Sequence, residues 1–488
     1  MRSTQHRCRI VAAARHEIAQ TADTLITETR SDQRTEDIET VASELIPLCD
    51  ALGWIGRHGS GVLADRKVGL AGRPVWMWGV RSRVQRVAWG RVLVLGTWNY
   101  PIFLSGVQIA QALAAGNSVL LKPAPGCETI SHHLLDAFHR AGVPEEALRL
   151  LDSSAEAAIE VIEEGVDLVV LTGAASTGRK VLLQTAEKLT PAIMELSGVD
   201  AVIVLPRADT DRVVAAIRFG LLFNSGATCI GPRRIFYCAG EDESEPSWCG
   251  ELIDSLRDAA SVIVHPAARS SVADAIESAI DRGAVDRVER FDGAELRRSG
   301  RMAPVVLSNV PRDHEILETD LFAPVMSLIS VESERAAVDW VNGCRYRLAA
   351  SVFGPPQDAA RVAGQLSVGC VVVNDLVMPT ADPRLPFGGR GESGFGVTRG
   401  PEGLLAMSTV RVIATRSGRW APHLSPPNHG DDELLTGVLK MNHGCGWRER
   451  IGGLKRLTSA VRGRRGLKQA TSDRPPPPST DSAKHDRS

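Results

Sequence analysis

The sequence predicts an α/β chain built from two doubly wound, mostly parallel sheet regions. Three observations carry this. Short, almost wholly apolar runs such as Val92–Leu95, Ser118–Leu121 and Leu168–Leu171 recur between Gly and Pro breaks, and a run without polar alternation suits a strand covered on both faces. Each run leads into a stretch with helical spacing, so strand and helix alternate. A second series opens at Ala201–Leu205, and no internal repeat is visible.

In chain order, residues from about Thr4 to Arg57 hold few breakers and read as two or three amphipathic helices packing on a sheet. Val75–Val80 and Val84–Trp89 are short, β-branched and aromatic, and read as a hairpin that either stands by itself or covers an interface. Helices through Ile109–Leu113 and around Ser131–Arg140 follow the first two strands, and Leu148–Leu151 and Leu168–Leu171 continue the pattern. In the second region strands are expected at Arg234–Tyr237, Ser261–Val264, Val305–Leu307 and Val371–Val373. After Ile413 the character changes. Pro422, Pro426 and Pro427 interrupt the chain, and Asp431–Leu439 suits one helix. Arg448–Lys468 carries eight Lys or Arg, and Pro475–Pro478 opens a polar end expected to be disordered.

Composition bounds the function. A chain of 488 residues with 43% hydrophobic content buries a large core in two or more domains. With 56 Lys and Arg against 58 Asp and Glu there is no global attraction to nucleic acid or to a membrane surface. Nine scattered cysteines, without a CxxC pair, indicate neither a disulfide framework nor a zinc site, so no metal is expected. They suit a reducing compartment. The N-terminal residues lack the apolar core of a secretory signal, and no apolar run approaches the roughly 18 residues needed to cross a bilayer. A cytoplasmic protein with no membrane anchor and no nucleic-acid partner is the expectation.

The chemistry centres on Phe219–Tyr237. An apolar run ends in Asn224-Ser225-Gly226, Cys229 follows, and a Gly-Pro break leads into Arg-Ile-Phe-Tyr. Cys229 thus sits on a short loop between helix and strand, with small neighbours that leave room for a substrate. A cysteine is more often a small buried apolar residue, but two distant segments bear on this one. Val92–Leu95 runs into Gly96-Thr97-Trp98-Asn99-Tyr100-Pro101, a turn that carries a side-chain amide. Leu189–Gly198 sets Glu195 among apolar residues, 34 positions before Cys229.

Trp-Asn-Tyr-Pro, Glu-Leu-Ser-Gly and Asn-Ser-Gly-Ala-Thr-Cys, in that order, resemble the signatures of the aldehyde dehydrogenase superfamily, in its class-3-like branch. The likeness runs from about Val92 to Ile413. It implies a Rossmann-type cofactor domain (1–69 and 91–195), an α/β catalytic domain (196–407), oligomerisation or bridging segments that include a small hairpin (70–90 and 408–440), and a basic flexible tail (441–488). It further implies NAD(P)-dependent oxidation of an aldehyde to a carboxylic acid by a homodimer. Cys229 would be the nucleophile, on a loop able to lower its pKa. The Asn99 amide and the Cys229 N–H would hold the oxyanion, and Glu195 would be the base that activates water. Thr97, Trp98, Lys122, Gly173, Gly178, Asp320 and Phe322 would contact NAD or NADP, and Phe387 would line the aldehyde tunnel. The chain departs from the family pattern at Pro125, where a ribose-binding carboxylate is usual, at Ala174 for serine, at Ser197 for glycine and at Asp320 for glutamate. Two alternatives stay open: a coenzyme A-acylating enzyme, against which Glu195 argues because such relatives typically lack the base glutamate, and, given these departures, a non-catalytic oligomer that retains the fold.

Overall fold

In the computed structural model the residues described are 3–472, without 75, 76, 78, 240–244, 418–421, 425, 428 and 429. Part of the expected Val75–Val80 strand, its tryptophans and the whole Pro475–Pro478 end therefore lie outside the described residues. The chain divides into two compact units, Met1–Leu70 with Ser82–Ala414, and Ala71–Arg81 with Thr415–Ser488.

The larger unit is organised on two sheets. In the first, strands β1 (Arg91–Leu95), β2 (Ser118–Lys122), β3 (Leu148–Leu150), β4 (Leu168–Gly173) and β5 (Ala192–Leu196) lie parallel in the order β3-β2-β1-β4-β5. The two-residue strand Gly394–Phe395 closes the β5 edge antiparallel. The order reverses between β1 and β4, so the crevice beyond their C-terminal ends is where a doubly wound sheet takes a ligand. Val92, Leu93, Val94, Val169 and Val170 are fully buried, which is why these strands read as unbroken apolar runs. The helix after β1, Phe103–Ala115, is buried at every position. It lies in one core with the N-terminal helices Thr4–Gln20 and Ile46–Val62, so its apolar character all round its circumference has a packing cause.

The second sheet contains β6 (Asp200–Val204), β7 (Pro232–Cys238), β8 (Val285–Asp286), β9 (Val305–Ser308), β10 (Val325–Val331), β11 (Ala349–Phe353) and β12 (Cys370–Val373), in the order β8-β9-β10-β7-β6-β11-β12. Only β8 runs antiparallel. Sequence pattern had missed β10 and β11, whose apolar runs are broken by Ser327 and Ser351, both buried. The expected Ser261–Val264 strand is reduced to Val262–Ile263 and pairs outside this sheet, with Arg301–Met302. Val84 pairs not with Val75–Val80 but with Arg66, in a three-stranded sheet ordered Arg66–Val68, Val80–Ala88, Ser408–Arg416.

In the smaller unit, Asp431–His443 and Gly446–Ser472 are helices. The basic stretch expected to be a flexible tail is therefore helical as far as Ser472. Glycines set its packing: a Cβ on Gly437 would come within 2.7 Å of the Leu457 amide, and one on Gly453 within 2.4 Å of the Met441 amide. Gly437→Leu would force these helices apart. Limited trypsin digestion should then cut among Arg448–Arg462 much faster than in the parent chain, while residues 91–407 stay resistant.

Candidate active site

The loop that carries Cys229 is shaped by backbone geometry. Helix Thr210–Leu222 is capped by Asp209, whose Oδ1 accepts the Arg212 N–H at 3.1 Å. Asn224, Ser225 and Gly226 then adopt φ of 52°, 54° and 77°, three left-handed residues in succession. Asparagine tolerates this region and glycine prefers it. Gly226 is also required for space, since a Cβ there would sit 2.4 Å from the Pro324 nitrogen. The turn is closed by Ala227 N–H donating to Asn224 O at 2.8 Å. Beneath it lies Arg233, 5% exposed. Its Nη2 donates to Gly226 O at 2.7 Å, and its Nη1 donates to Ala323 O at 2.8 Å.

The turn after β1 meets this loop from the other sheet. Asn99 is buried, and its Oδ1 accepts from Thr97 Oγ1 at 2.7 Å and from the Tyr100 N–H at 3.1 Å. Its amide nitrogen donates to Ala227 O at 2.9 Å. The predicted oxyanion donor is therefore engaged with the cysteine loop here and does not line the cavity described below. The Thr97 hydroxyl fixes which end of the Asn99 amide faces that loop. The Cys229 N–H has no acceptor among the described residues and remains free to donate.

Two residues that sequence reasoning passed over hold both turns. Arg34 Nη2 donates to Asn99 O at 2.6 Å and to Asn224 Oδ1 at 3.0 Å. Its Nη1 pairs with Glu44, whose side chain is fully buried on a π-helical turn, Val41–Leu45. Glu44 Oε2 in turn accepts the N–H groups of Ile102 (2.6 Å) and Phe103 (3.0 Å), at the start of the buried helix. A helix-rich N-terminal segment with isolated charges gave no signal for this, because its partners lie 58 to 190 positions away.

Glu195 is at the end of β5, 3% exposed. Oε2 accepts from Thr398 Oγ1 at 3.1 Å, while Oε1 is buried without a partner. Burial raises its pKa, against the lowering by the nearby Arg399 charge and the Thr398 hydrogen bond. Glu195, Cys229 and Phe387 line one cavity, with Tyr100, Phe103 and Ile230 among its other walls. Burial also pushes the Cys229 thiol well above its ordinary value, and the carboxylates of Glu195, Asp200 and Asp320 add to the shift. The expectation of a lowered thiol pKa is overturned: the loop is not an electropositive helix terminus but a desolvated site among acids. In this arrangement Cys229 is a thiol.

Residues 1–413 match the Aldehyde dehydrogenase family. The chain belongs to this family. As an aldehyde dehydrogenase it is 30% identical over 410 residues to the 4,4'-diapolycopene aldehyde oxidase of a Methylomonas species, covering 79% of this chain and 74% of that one. It is 28% identical over 370 residues to aldehyde dehydrogenase family 3 member H1 of Arabidopsis thaliana, covering 72% and 74%. The crystal structure of betaine aldehyde dehydrogenase from Staphylococcus aureus with NAD+ superposes with a TM-score of 0.79 at 23% identity, over 87% of this chain and 86% of that one. The protein is an NAD(P)-dependent oxidoreductase acting on aldehydes.

The aldehyde dehydrogenase's crevice fits a dinucleotide. Helix Ala175–Ala186 starts directly after β4, and its N-cap, Ala174, makes no side-chain hydrogen bond, so the first amides are free for phosphate oxygens. Gly178 lets this helix lie on β5, since a Cβ there would be 2.9 Å from Leu196 Cδ1. Lys122, half-buried, ends β2, and Phe322 packs by Trp98 with ring centroids 5.9 Å apart. Asp320, the shortened acid, follows the Arg345-bonded Glu318 by two positions. Its side chain is buried and pairs with Arg233 at 3.6 Å, with the Phe322 N–H on Oδ1 at 3.4 Å. Burial raises its pKa to about 7, Arg233 opposing. Its Oδ2 is buried without a partner.

Arg34→Met should leave Glu44 as an uncompensated buried charge, a loss of about 3–5 kcal/mol. A thermal melt should show the destabilisation, and aldehyde-dependent NAD(P)H formation should fall even well below the new midpoint. The double variant with Glu44→Leu should recover part of the stability and little of the rate.

Proposed function

We propose that Cys229 attacks the aldehyde carbon and that Glu195 serves as the base, so that an acid is released by hydrolysis. The observation that carries this is the shared cavity: Glu195, with its unpartnered Oε1, and Cys229 both line it, in a chain whose family oxidises aldehydes. A carboxyl whose pKa is raised by burial is a stronger base than an exposed one. It suits the two proton transfers required. Glu195 takes the proton as Sγ bonds the carbonyl carbon, and the Cys229 N–H donates to the developing oxyanion, joined by Asn99 if substrate draws its amide from Ala227 O. The dinucleotide, when bound, supplies the acceptor for the hydride that leaves this carbon. The oxidised carbon remains on Cys229 as a thioester. Once the proton taken from the thiol has passed to solvent, Glu195 deprotonates water for attack on the thioester carbon, the C–S bond breaks, and the proton Glu195 then holds returns to the sulfur. Hydrolysis by Glu195 favours water over coenzyme A.

Trp98, Phe322, the first amides of Ala175–Ala186 and Lys122 would hold the cofactor. Asp152 and Glu128 act on Lys122 through their charges, opposing the lowering of its pKa by burial. They set negative charge near the place where Pro125 removes it, so NAD is the proposed preference. Residues 70–90 and 408–440 are the proposed contact segments of a homodimer, and the cytoplasm is the proposed compartment.

Cys229→Ala should abolish aldehyde-dependent NAD(P)H formation, and full turnover by that variant would end this reading. Glu195→Gln should slow NAD(P)H formation by about 100–10,000-fold, in the first turnover as well as in the steady state, because both proton transfers lose their base. Because only ionised Glu195 is a base, and its pKa is raised, the parent kcat should fall as pH drops through a range above ordinary carboxylates. A kcat profile in which that acidic limb survives Glu195→Gln unchanged would assign it to another group.

A further inference from the structure

Arg399 is an expensive residue in the cavity wall. It is 5% exposed, and its backbone is in the left-handed half of the map at φ 60°. A non-glycine residue held there is strained, and such positions gather at ligand sites. The strain is held by Gln111, whose Oε1 accepts the Arg399 N–H at 3.1 Å and whose Nε2 donates to Gly400 O at 3.3 Å. The guanidinium lies over the Phe387 ring at 4.1 Å and the Phe103 ring at 5.4 Å, two walls of the aldehyde cavity.

Its hydrogen bonds are incomplete in a patterned way. Nη1 donates to Thr380 O at 2.7 Å. Nε is buried without a partner, and Nη2 makes no hydrogen bond among the described residues. Nε and Nη2 form one edge of the guanidinium fork, the edge that takes a carboxylate through two parallel N–H···O bonds. No acid forms an ion pair with Arg399 among the described residues. Glu195, the nearest acid in its field, is bonded through Oε2 to Thr398 instead. Burying a cation without an ion pair costs several kcal/mol. The protein bears this cost in an otherwise apolar chamber in which Glu195 is the only other charged lining residue.

We propose that Arg399 is a specificity-determining residue whose Nε–Nη2 edge binds a carboxylate on the substrate. The preferred aldehydes are then formyl acids: an apolar body between the reacting carbonyl and a second, anionic end. Phe387 and Phe103 hold the guanidinium plane and cover the apolar part, and Thr380 fixes the rotation of the fork. This rests on the assignment of the cavity as the aldehyde site, and the test separates the two.

The experiment uses para-formylbenzoate and a series of straight-chain ω-formyl carboxylates, each paired with its neutral methyl ester. The full-length protein, Arg399→Gln and Arg399→Lys are assayed at saturating NAD+ and NADP+. For at least one pair the parent should prefer the acid in kcat/KM. Arg399→Gln should lose on the order of 100-fold on that acid and only a few-fold on its ester, and Arg399→Lys should recover part of the preference. In a second readout, independent of turnover, benzoate should raise the melting temperature of the parent and not that of Arg399→Gln. Equal kcat/KM for acid and ester in every pair, or an equal loss on both in Arg399→Gln, overturns the proposal and makes Arg399 a packing residue or a partner of Glu195 alone. Oxidation of esters without acid preference leaves the catalytic assignment standing. Benzoate stabilisation through Arg399 with no aldehyde oxidised leaves the anion site and removes that assignment. If Arg399→Gln does not fold, the acid-to-ester ratio of the parent and of Arg399→Lys decides.

Discussion

The buried pair of Arg34 and Glu44 is the constraint on which the site depends. Neither residue touches the cavity's sulfur, yet between them they bond the carbonyl of Asn99, the side chain of Asn224 and the first amides of the Phe103–Ala115 helix. One ion pair thus ties the end of a strand in the first sheet to the turn preceding the nucleophile in the second. Taking both charges out of water is costly, and mutual attraction offsets that cost only when the remaining donors and acceptors are also met. Here they are met by backbone and amide groups whose positions matter for chemistry. Such a network contributes little net stability against an apolar substitute of equal shape, but it admits one arrangement of the two turns.

The cavity combines features that would each be unfavourable alone: a desolvated thiol, a carboxyl with one unbonded oxygen, a cation without an ion pair and a run of left-handed residues. The left-handed run and the thiol follow the turn that the ion pair fixes, and the carboxyl and the cation line the same cavity as the thiol. The surrounding core is ordinary by comparison, with apolar strands and an apolar central helix. At the cavity, strained and unpartnered groups stand where a substrate would change the balance, since an oxyanion, a water molecule or a substrate charge meets the groups the protein leaves open there.

Much of this could be read from the amino acids, and the parts that could not have physical reasons. The strand runs through Val92–Leu95 and Leu168–Leu171 announced themselves because both faces are covered. Strands Val325–Val331 and Ala349–Phe353 did not, because buried serines interrupt them. Cys229, Glu195 and Phe387 were found by ordered short motifs, and the fold does bring these three to one space. The orientation of Asn99 was beyond reach, since it is set by Thr97 and by a carbonyl 128 positions away. The direction of the Cys229 pKa was misread because a loop after a helix suggests an accessible dipole, whereas desolvation dominates once the second sheet closes over it. Asp320 looked like a shortened cofactor ligand; its partner, Arg233, carries no motif. Arg399 was passed over for a similar reason, since an arginine beside a glycine-rich turn reads as solvated until the fold puts aromatic rings around it.

Gly226 and Arg233 together have a mechanical consequence. The nucleophile loop touches the backbone of Ala323 and Pro324 without an intervening side chain, and one guanidinium bonds the carbonyls of both segments. The segment that carries the Phe322 ring is thus joined to the nucleophile loop through main chain and one guanidinium, with no flexible side chain as a spacer.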